Sequence, residues 1–351
     1  MTDERSGPPP AVREPGLKGT AKTFLELVKF EHSIFALPYA YIGALYGAFY
    51  ASLETGTWQQ YFREMLARPF SPPVASAYTS VDTPWVFFVK HPWVAERGAY
   101  VPTWSALLWI TVAMVGARSF AFVVNRAADK EIDARNPRTA GRAVPAGIVK
   151  AWELWLFALV VLAAYLFAVF QLAPITHWLW PIPLAAFLVY PYTKRFTPLC
   201  HYWLGLCLGL AATGGWAAVG APLSHPAPWV LGLAVALWTA GFDIIYATQD
   251  IECDLRDGVH SMPADYGVAS ALKQTRVLHA LTVLLLIVAG WLMGAGWAWY
   301  IGVGTAAGLL WYENSIISAE DLSRVNAAFF TTNGVIAVFL LAAAVADVLL
   351  G

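Results

Sequence analysis

Cysteine, charge and basic excess are all scarce in this chain, and each shortage excludes a class of protein. Three cysteines, Cys200, Cys207 and Cys253, occur in 351 residues, with no CxxC spacing. An odd set without that spacing makes neither a disulfide framework nor a zinc cluster, so they read as packing residues. Asp, Glu, Lys and Arg make up 13% of the chain, about half the share of a soluble domain. The net charge of −1 gives no case for nucleic-acid binding, which needs clustered basic surface. No cleavable signal peptide is legible. The opening "MTDERSGPPPAVREPGLKGT" is polar and proline-rich, and residues 1–21 read as a disordered tail.

Apolar and interfacial residues are abundant instead. The hydrophobic share is 58%, with 17 Trp and 15 Tyr, and both of those residues favour the lipid–water interface. The chain reads as an all-α integral membrane protein. A spanning helix needs about 20 largely apolar residues. Nine stretches qualify, roughly 27–50, 103–125, 152–172, 177–193, 202–220, 228–248, 277–293, 296–312 and 329–350. The expectation is nine transmembrane helices around a central cavity, in one domain over residues 22–351.

Charge sets the orientation. With the N-terminus inside, the inner segments carry 17 of the 22 Lys and Arg. Four more lie in the long outer segment 51–102, where four acids balance them, and Arg118 lies within a span. The positive-inside rule therefore puts the N-terminus in the cytoplasm. Residues 51–102 read as a loop-rich extracytoplasmic insertion.

Polar residues at two span ends carry the functional signal. The second span runs into "NRAADKEIDARNPRT", where Asn125, Asp129 and Asp133 are spaced four and four. Four residues turn an α-helix by only about 40°, so the three line one stripe and can reach one ligand. Pro137 is expected to stop this helix. The sixth span ends in "GFDIIYATQDIECDLRDG", with Tyr246, Asp250 and Asp254 again four apart. Ionisable groups near membrane depth are functional candidates by default. Two facing carboxylate clusters repel unless cations sit between them. Mg²⁺ suits such a place, because it takes oxygen ligands and shares its shell with phosphates. The inference is a diphosphate clamped by Mg²⁺ on Asn125, Asp129, Asp133, Asp250 and Asp254. Arg126, Lys130, Arg135, Arg138, Arg142, Lys194 and Arg195 lie nearby in sequence. Of these, Arg126, Lys130, Arg138, Arg142 and Lys194 are the candidate partners for the remaining phosphate charge.

With NxxxDxxxD after the second span and DxxxD after the sixth, the chain resembles the UbiA superfamily of intramembrane aromatic prenyltransferases. Further stretches resemble its quinone-pathway members: "KFEHSIFALPYAYIGAL", "ARSFAFVVNRAADKEIDARNPRTAGRAVPAG", "YPYTKRFTPLCHYWLGL" and "DIIYATQDIECDLRDGVHSMP". The 51–102 segment departs from the family, where this connection is short. The resemblance implies Mg²⁺-dependent transfer of a polyprenyl chain from its diphosphate to an aromatic ring in ubiquinone or menaquinone biosynthesis, at the cytoplasmic side of the inner membrane. The best acceptor is then 4-hydroxybenzoate, with 1,4-dihydroxy-6-naphthoate as the alternative. Asp129, Asp250 and Tyr246 become the catalytic candidates. Charge withdrawn at the clusters lets the C–O bond break toward an allylic cation. A span-lined cavity keeps water from that cation, and Tyr190, Tyr192 and Tyr246 are candidates to stabilise it.

Other polar residues lie at other depths. Arg118 and Lys29 are candidates to hold the acceptor's carboxylate, with an internal Arg118–Asp243 ion pair as the competing role. Lys29 also reads as a snorkelling anchor. His32 and His201 read as structural histidines. Glu313, Glu320 and Asp321 read as solvated in the last inner loop. A cation transporter is the reading from a different class, but its site belongs near mid-membrane on broken helices. The expected partners are polyprenyl diphosphate, an aromatic acid and the bilayer, with no protein partner indicated.

Overall fold

The structure, a computed structural model, describes residues 23–24, 26–27, 35–51, 88–90 and 100–350. Helix α1 (Leu37–Ala51) leads to a short antiparallel ribbon, β1 (Phe88–Lys90) with β2 (Tyr100–Pro102), in which Phe88 lies opposite Pro102. All later elements are helical: α2 (Trp104–Ala128), α3 (Lys130–Arg135), α4 (Ala151–Val169), α5 (Thr176–Leu179), α6 (Pro181–Thr193), α7 (Cys200–Ala218) and α8 (Ala227–Ala247). Then come α9 (Ile251–Asp257), α10 (Met262–Tyr266), α11 (Val268–Met293), α12 (Trp297–Ser315), a π-helical turn (Ala327–Thr332) and α13 (Asn333–Leu350). The ribbon is the one departure from an all-α chain among the described residues. Most of the 51–102 insertion lies outside them, as do Lys29, Glu31 and His32.

Five helical segments are long and apolar enough to cross a membrane: Trp104–Ala128, Ala151–Val169, Ala227–Ala247, Val268–Met293 and Ala328–Leu350. The fourth expected span is broken. Its residues form α5, a step at Trp180, and only 13 residues of α6, which starts on Pro181 and contains Pro191. Proline fits the first turn of a helix but removes a hydrogen bond inside one.

Local chemistry accounts for the ends. Thr103 Oγ1 accepts from the Ala106 N–H at 3.1 Å and caps α2, satisfying a donor that has no partner in the first turn. Gly294, at φ 67°, closes α11 in the left-handed region where glycine has no Cβ penalty. The N-terminus of α12 is capped by another helix. Asp347 of α13 accepts from the N–H groups of Gly296 (2.9 Å) and Trp299 (3.2 Å) and from the Tyr46 hydroxyl (2.9 Å).

The helices pack in sequence around the molecule. α7 touches α1, α6 and α8, α8 touches α11, α11 touches α12, α12 touches α13, and α13 returns to α1. α2 closes the other side against α4 and α6. Large apolar side chains cover the outside: Leu156, Leu159, Phe167, Leu233, Leu284 and Val338 are exposed. A lipid-facing surface explains that pattern. Trp104, Trp178, Trp229 and Trp297 are also exposed near helix ends, the position of an interfacial aromatic belt. Inside, glycine brings backbones together. A Cβ on Gly215 would run into the Ala40 carbonyl of α1, so α1 and α7 approach as small-residue membrane helices do. Gly215→Val is expected to destabilise by about 1–3 kcal/mol through overpacking. Gly304→Ala, where a Cβ meets nothing within 4 Å, is expected to be neutral in the same thermal-unfolding measurement in detergent.

Candidate active site

Each carboxylate cluster sits on a break between two helices. α2 ends at Ala128, and Asp129 leaves helical geometry (φ −96°, ψ 5°) while its N–H still bonds the Asn125 carbonyl at 2.9 Å. The chain resumes in α3 with the Asp133 N–H on the Asp129 carbonyl at 2.7 Å. The four-residue stacking therefore survives the break, and Asn125 Nδ2 donates to Asp129 Oδ2 at 3.0 Å. α3 ends at Arg135, before Pro137. The second cluster repeats the design. α8 ends at Ala247, Asp250 sits at φ −111° and ψ 4°, and the Asp254 N–H reaches the Asp250 carbonyl at 2.8 Å.

Both clusters open into one cavity of about 690 Å³, lined by Asn125, Asp129, Asp133, Asp250 and Asp254 together with Arg126, Arg138, Arg142 and Lys194. Beyond them its walls are mostly apolar and reach Thr176, Leu223 and Trp229 near the opposite helix ends. The clusters do not face each other bare, because the protein's own cations and amides stand among the carboxylates. Lys194 Nζ lies 2.5 Å from Asp129 Oδ2. Arg126 and Arg142 hold Asp133 at 3.3 and 3.1 Å. Arg138 crosses from the loop after the first cluster and grips Asp250 with two nitrogens, Nε at 2.9 Å and Nη2. Its Nη1 donates to the Tyr246 hydroxyl at 3.0 Å. Asn136 makes the same crossing, with Nδ2 on Asp250 Oδ1 at 2.8 Å. Neither crossing is visible in sequence, since more than 100 residues separate the partners. Asp254 is the least engaged carboxylate, with the Ser261 hydroxyl at 2.9 Å.

Burial pushes the Asp254 carboxyl up to about 6, because a low-dielectric site disfavours the charged form. Asp129 is also raised by burial, against the pull of Lys194. A cation bound at Asp254 competes with a proton there. Were Mg²⁺ held at Asp254, its affinity would be flat above pH 6 and would fall by about tenfold per unit below it. Titrations of Mg²⁺ at pH 5, 6 and 7.5 check this.

Two expected site residues stand elsewhere. Lys130 is exposed and outside the cavity lining, because it sits one residue past Asp129 and about 100° around the helix. Tyr192 is also exposed, under the Arg195 guanidinium at 5.2 Å. Tyr190 lines the cavity, and two residues on one helix turn the second tyrosine to the opposite face. Arg135 is exposed, and Arg195 bonds the Ala128 carbonyl. Tyr246 does line the cavity.

The Arg118–Asp243 ion pair is not formed. Asp243 Oδ2 lies 2.7 Å from Nδ1 of His201, whose Nε2 accepts from the Met262 N–H at 3.2 Å. That bond leaves Nδ1 as the donor toward Asp243. Arg118 lines the cavity with a buried Nε that has no hydrogen-bond partner, and its guanidinium lies 5.3 Å from the Phe122 ring centre. Glu313 corrects another expectation. α12 runs to Ser315 and carries Glu313 into the interior, fully buried, whereas Glu320 and Asp321 are exposed. Sequence reasoning also missed an aromatic wall in the cavity. Phe329 stacks on Tyr246 at 4.2 Å, with Phe330, Phe242 and Phe35 around it. In the sequence these phenylalanines are indistinguishable from the apolar spans.

The profile of the UbiA prenyltransferase family matches residues 83–340. The chain belongs to that family. It is a multi-pass membrane protein and an enzyme of this class. It is 32% identical over 276 residues to a 4-hydroxybenzoate octaprenyltransferase of Yersinia pseudotuberculosis serotype IB, covering 79% of this chain and 92% of that one. A protein of the same name from Tolumonas auensis is 32% identical over 284 residues, 81% and 95% of the two chains. Among solved structures, the apo structure of a UbiA homolog from Aeropyrum pernix K1 superposes with a TM-score of 0.69 at 28% identity, over 90% of this chain and 98% of that one. A UbiA homolog from Archaeoglobus fulgidus bound to GPP and Mg²⁺ shares the fold, with a TM-score of 0.60 at 17% identity and coverage of 93% and 99%.

Proposed function

We propose that this protein transfers a polyprenyl group from its diphosphate to the ring of an aromatic acid, with 4-hydroxybenzoate as the acceptor. The observation that carries this reading is the convergence of two carboxylate clusters and four cations at the polar end of one long apolar cavity. The bacterial relatives named above support the acceptor. Residues 22–351 act as one prenyltransferase domain of nine spans. The N-terminus and the carboxylates face the cytoplasm, and 51–102 is an extracytoplasmic insertion in an inner-membrane protein. Quinone synthesis is the setting.

The residues fit Mg²⁺. Among the described residues, no three His, Cys, Asp or Glu side chains form a metal cage by themselves. Their donors are all oxygens, and Asp129 Oδ1 is buried without a hydrogen-bond partner. Mg²⁺ keeps waters and completes its shell from substrate phosphates, so an incomplete protein cage suits it. Asn125, Asp129, Asp133, Asp250 and Asp254 would hold it. When bound, it supplies charge withdrawal from the diphosphate oxygens.

The chain's own residues do the rest. Arg126, Arg138, Arg142 and Lys194 exchange carboxylate for phosphate as the diphosphate enters. The allylic C–O bond breaks, and the diphosphate leaves with the electron pair. Tyr190, Tyr246 and the phenylalanines around Tyr246 present ring faces to the allylic cation. Arg118 holds the acceptor's carboxylate. A pair of π electrons from the acceptor ring forms the new C–C bond, and the proton on that carbon is released to the oxygen of cavity-lining Asp243 that His201 does not hold. The test is to incubate the purified protein with labelled polyprenyl diphosphate, Mg²⁺ and a panel of aromatic acids. Prenylated 4-hydroxybenzoate is the expected product. Product from 1,4-dihydroxy-6-naphthoate alone would reassign the acceptor, and no prenylated acid at all would overturn the reading.

A further inference from the structure

Glu313 is a carboxyl group buried inside the helix bundle, with no cation beside it among the described residues. Its side chain is wholly buried, Oε1 accepts from Asn333 Nδ2 at 3.0 Å, and Oε2 has no hydrogen-bond partner. Such groups are costly and are retained where they do something. Glu313 lines no part of the cavity, so its role is exerted through what it touches.

What it touches is Asn333, also wholly buried, which begins α13 directly after the π-helical turn. Asn333 Nδ2 also donates to the carbonyls of Ala328 (3.0 Å) and Phe329 (3.3 Å), both within that turn. Its Oδ1 accepts from Trp238 Nε1 of α8 at 2.7 Å. A π turn holds one residue more than an α turn, and that misaligns carbonyls which in membrane need another donor. Asn333 is that donor. Glu313 and Trp238 fix its amide from both sides, one accepting from the nitrogen and one donating to the oxygen.

The turn determines where two cavity residues point. In an uninterrupted α-helix running back from α13, the residues before the extra one would be rotated by about 100°. In the π turn, Phe329 stacks on Tyr246, and Phe330 meets Phe329 edge-on at 4.6 Å. Tyr246 in turn carries Arg138 on its hydroxyl. We infer that Glu313 and Asn333 are positioning residues, which hold the π turn so that Phe329 and Phe330 wall the space where the allylic cation forms. The inference rests on the proposed prenyl transfer. Loosening the wall lets water compete with the acceptor, so the cation ends as prenyl alcohol instead of prenylated acid.

The experiment compares wild type with Glu313→Gln, Glu313→Leu, Asn333→Asp and Asn333→Leu, in nanodiscs with labelled polyprenyl diphosphate, Mg²⁺ and 4-hydroxybenzoate. The readout is the ratio of prenyl alcohol to prenylated acid, with thermal unfolding and the affinity for a non-reactive prenyl thiodiphosphate measured alongside. Glu313→Gln keeps an acceptor for Asn333 and is expected to retain the wild-type ratio. Glu313→Leu and both Asn333 variants are expected to raise the ratio by about five- to thirtyfold, as one or two lost cation–aromatic contacts imply. Their thiodiphosphate affinity stays near wild type. Asn333→Asp, which keeps the oxygen for Trp238, is the gentler variant where the leucine substitution prevents insertion. Lower unfolding temperatures with an unchanged ratio would overturn the inference. Absence of prenylated acid from the wild-type protein would instead overturn the proposed reaction.

Discussion

Asp129→Ala and Asp250→Ala are each expected to lower prenyl transfer by at least about a thousandfold, as losing ~4 kcal/mol of leaving-group stabilisation implies. Each removes a carboxylate from a different cluster, and the two clusters share one cavity. Both side chains contact polar groups, Asp129 with Asn125 and Lys194 and Asp250 with Asn136 and Arg138, so the folded protein should survive. The partners decide the details. Asp129→Ala frees Lys194, whose side chain is 25% exposed, while Asp250→Ala releases Arg138 and Asn136 together. Asp250→Asn keeps a polar partner for both and separates lost charge from lost packing. Single-turnover rates at saturating and limiting Mg²⁺ check the prediction. Near-normal turnover in either alanine variant at limiting Mg²⁺ would show that the clusters do not act together.

Arg118→Leu is expected to raise the KM for the aromatic acid by roughly ten- to a hundredfold, from a charge-assisted contact of about 1.5–3 kcal/mol. The KM for the prenyl diphosphate should hardly change. Arg118 lies seven residues before Asn125, about 10 Å deeper along α2. It is a cavity cation whose Nε has no hydrogen-bond partner. With Asp243 taken by His201, removing Arg118 breaks no ion pair to that acid. An acceptor lacking its carboxylate should lose the distinction between wild type and variant. An unchanged KM for 4-hydroxybenzoate would end the substrate role for Arg118.

Legibility in the sequence followed the range of the interactions. The carboxylate stripes were legible because Asn125, Asp129 and Asp133 interact through a four-residue helical repeat, and even the helix break at Asp129 preserves it. Helices α2, α4 and α8 were legible for the same local reason, as continuous apolar runs of spanning length. The bridges Arg138–Asp250 and His201–Asp243 were not, because nothing in a local pattern says which distant groups meet. Tyr192 was a failure of phase, since a residue two past Tyr190 on one helix points about 200° away from it. Glu313 was a failure of boundary. Reading its helix as ending too early moved a buried carboxyl into solvent, and with it went one clue to the π turn. The turn itself breaks the 3.6-residue period, so periodicity gives it no signal.

The proposed reaction requires two clusters acting on one diphosphate. Calorimetric binding of a non-reactive prenyl thiodiphosphate tests it most directly, with wild type, Asp129→Asn and Asp250→Asn, each with Mg²⁺ and with EDTA. Tight binding is predicted only for wild type with Mg²⁺, with each single variant weakened about as much as EDTA weakens the wild type. Undiminished Mg²⁺-dependent binding in either variant would contradict the account.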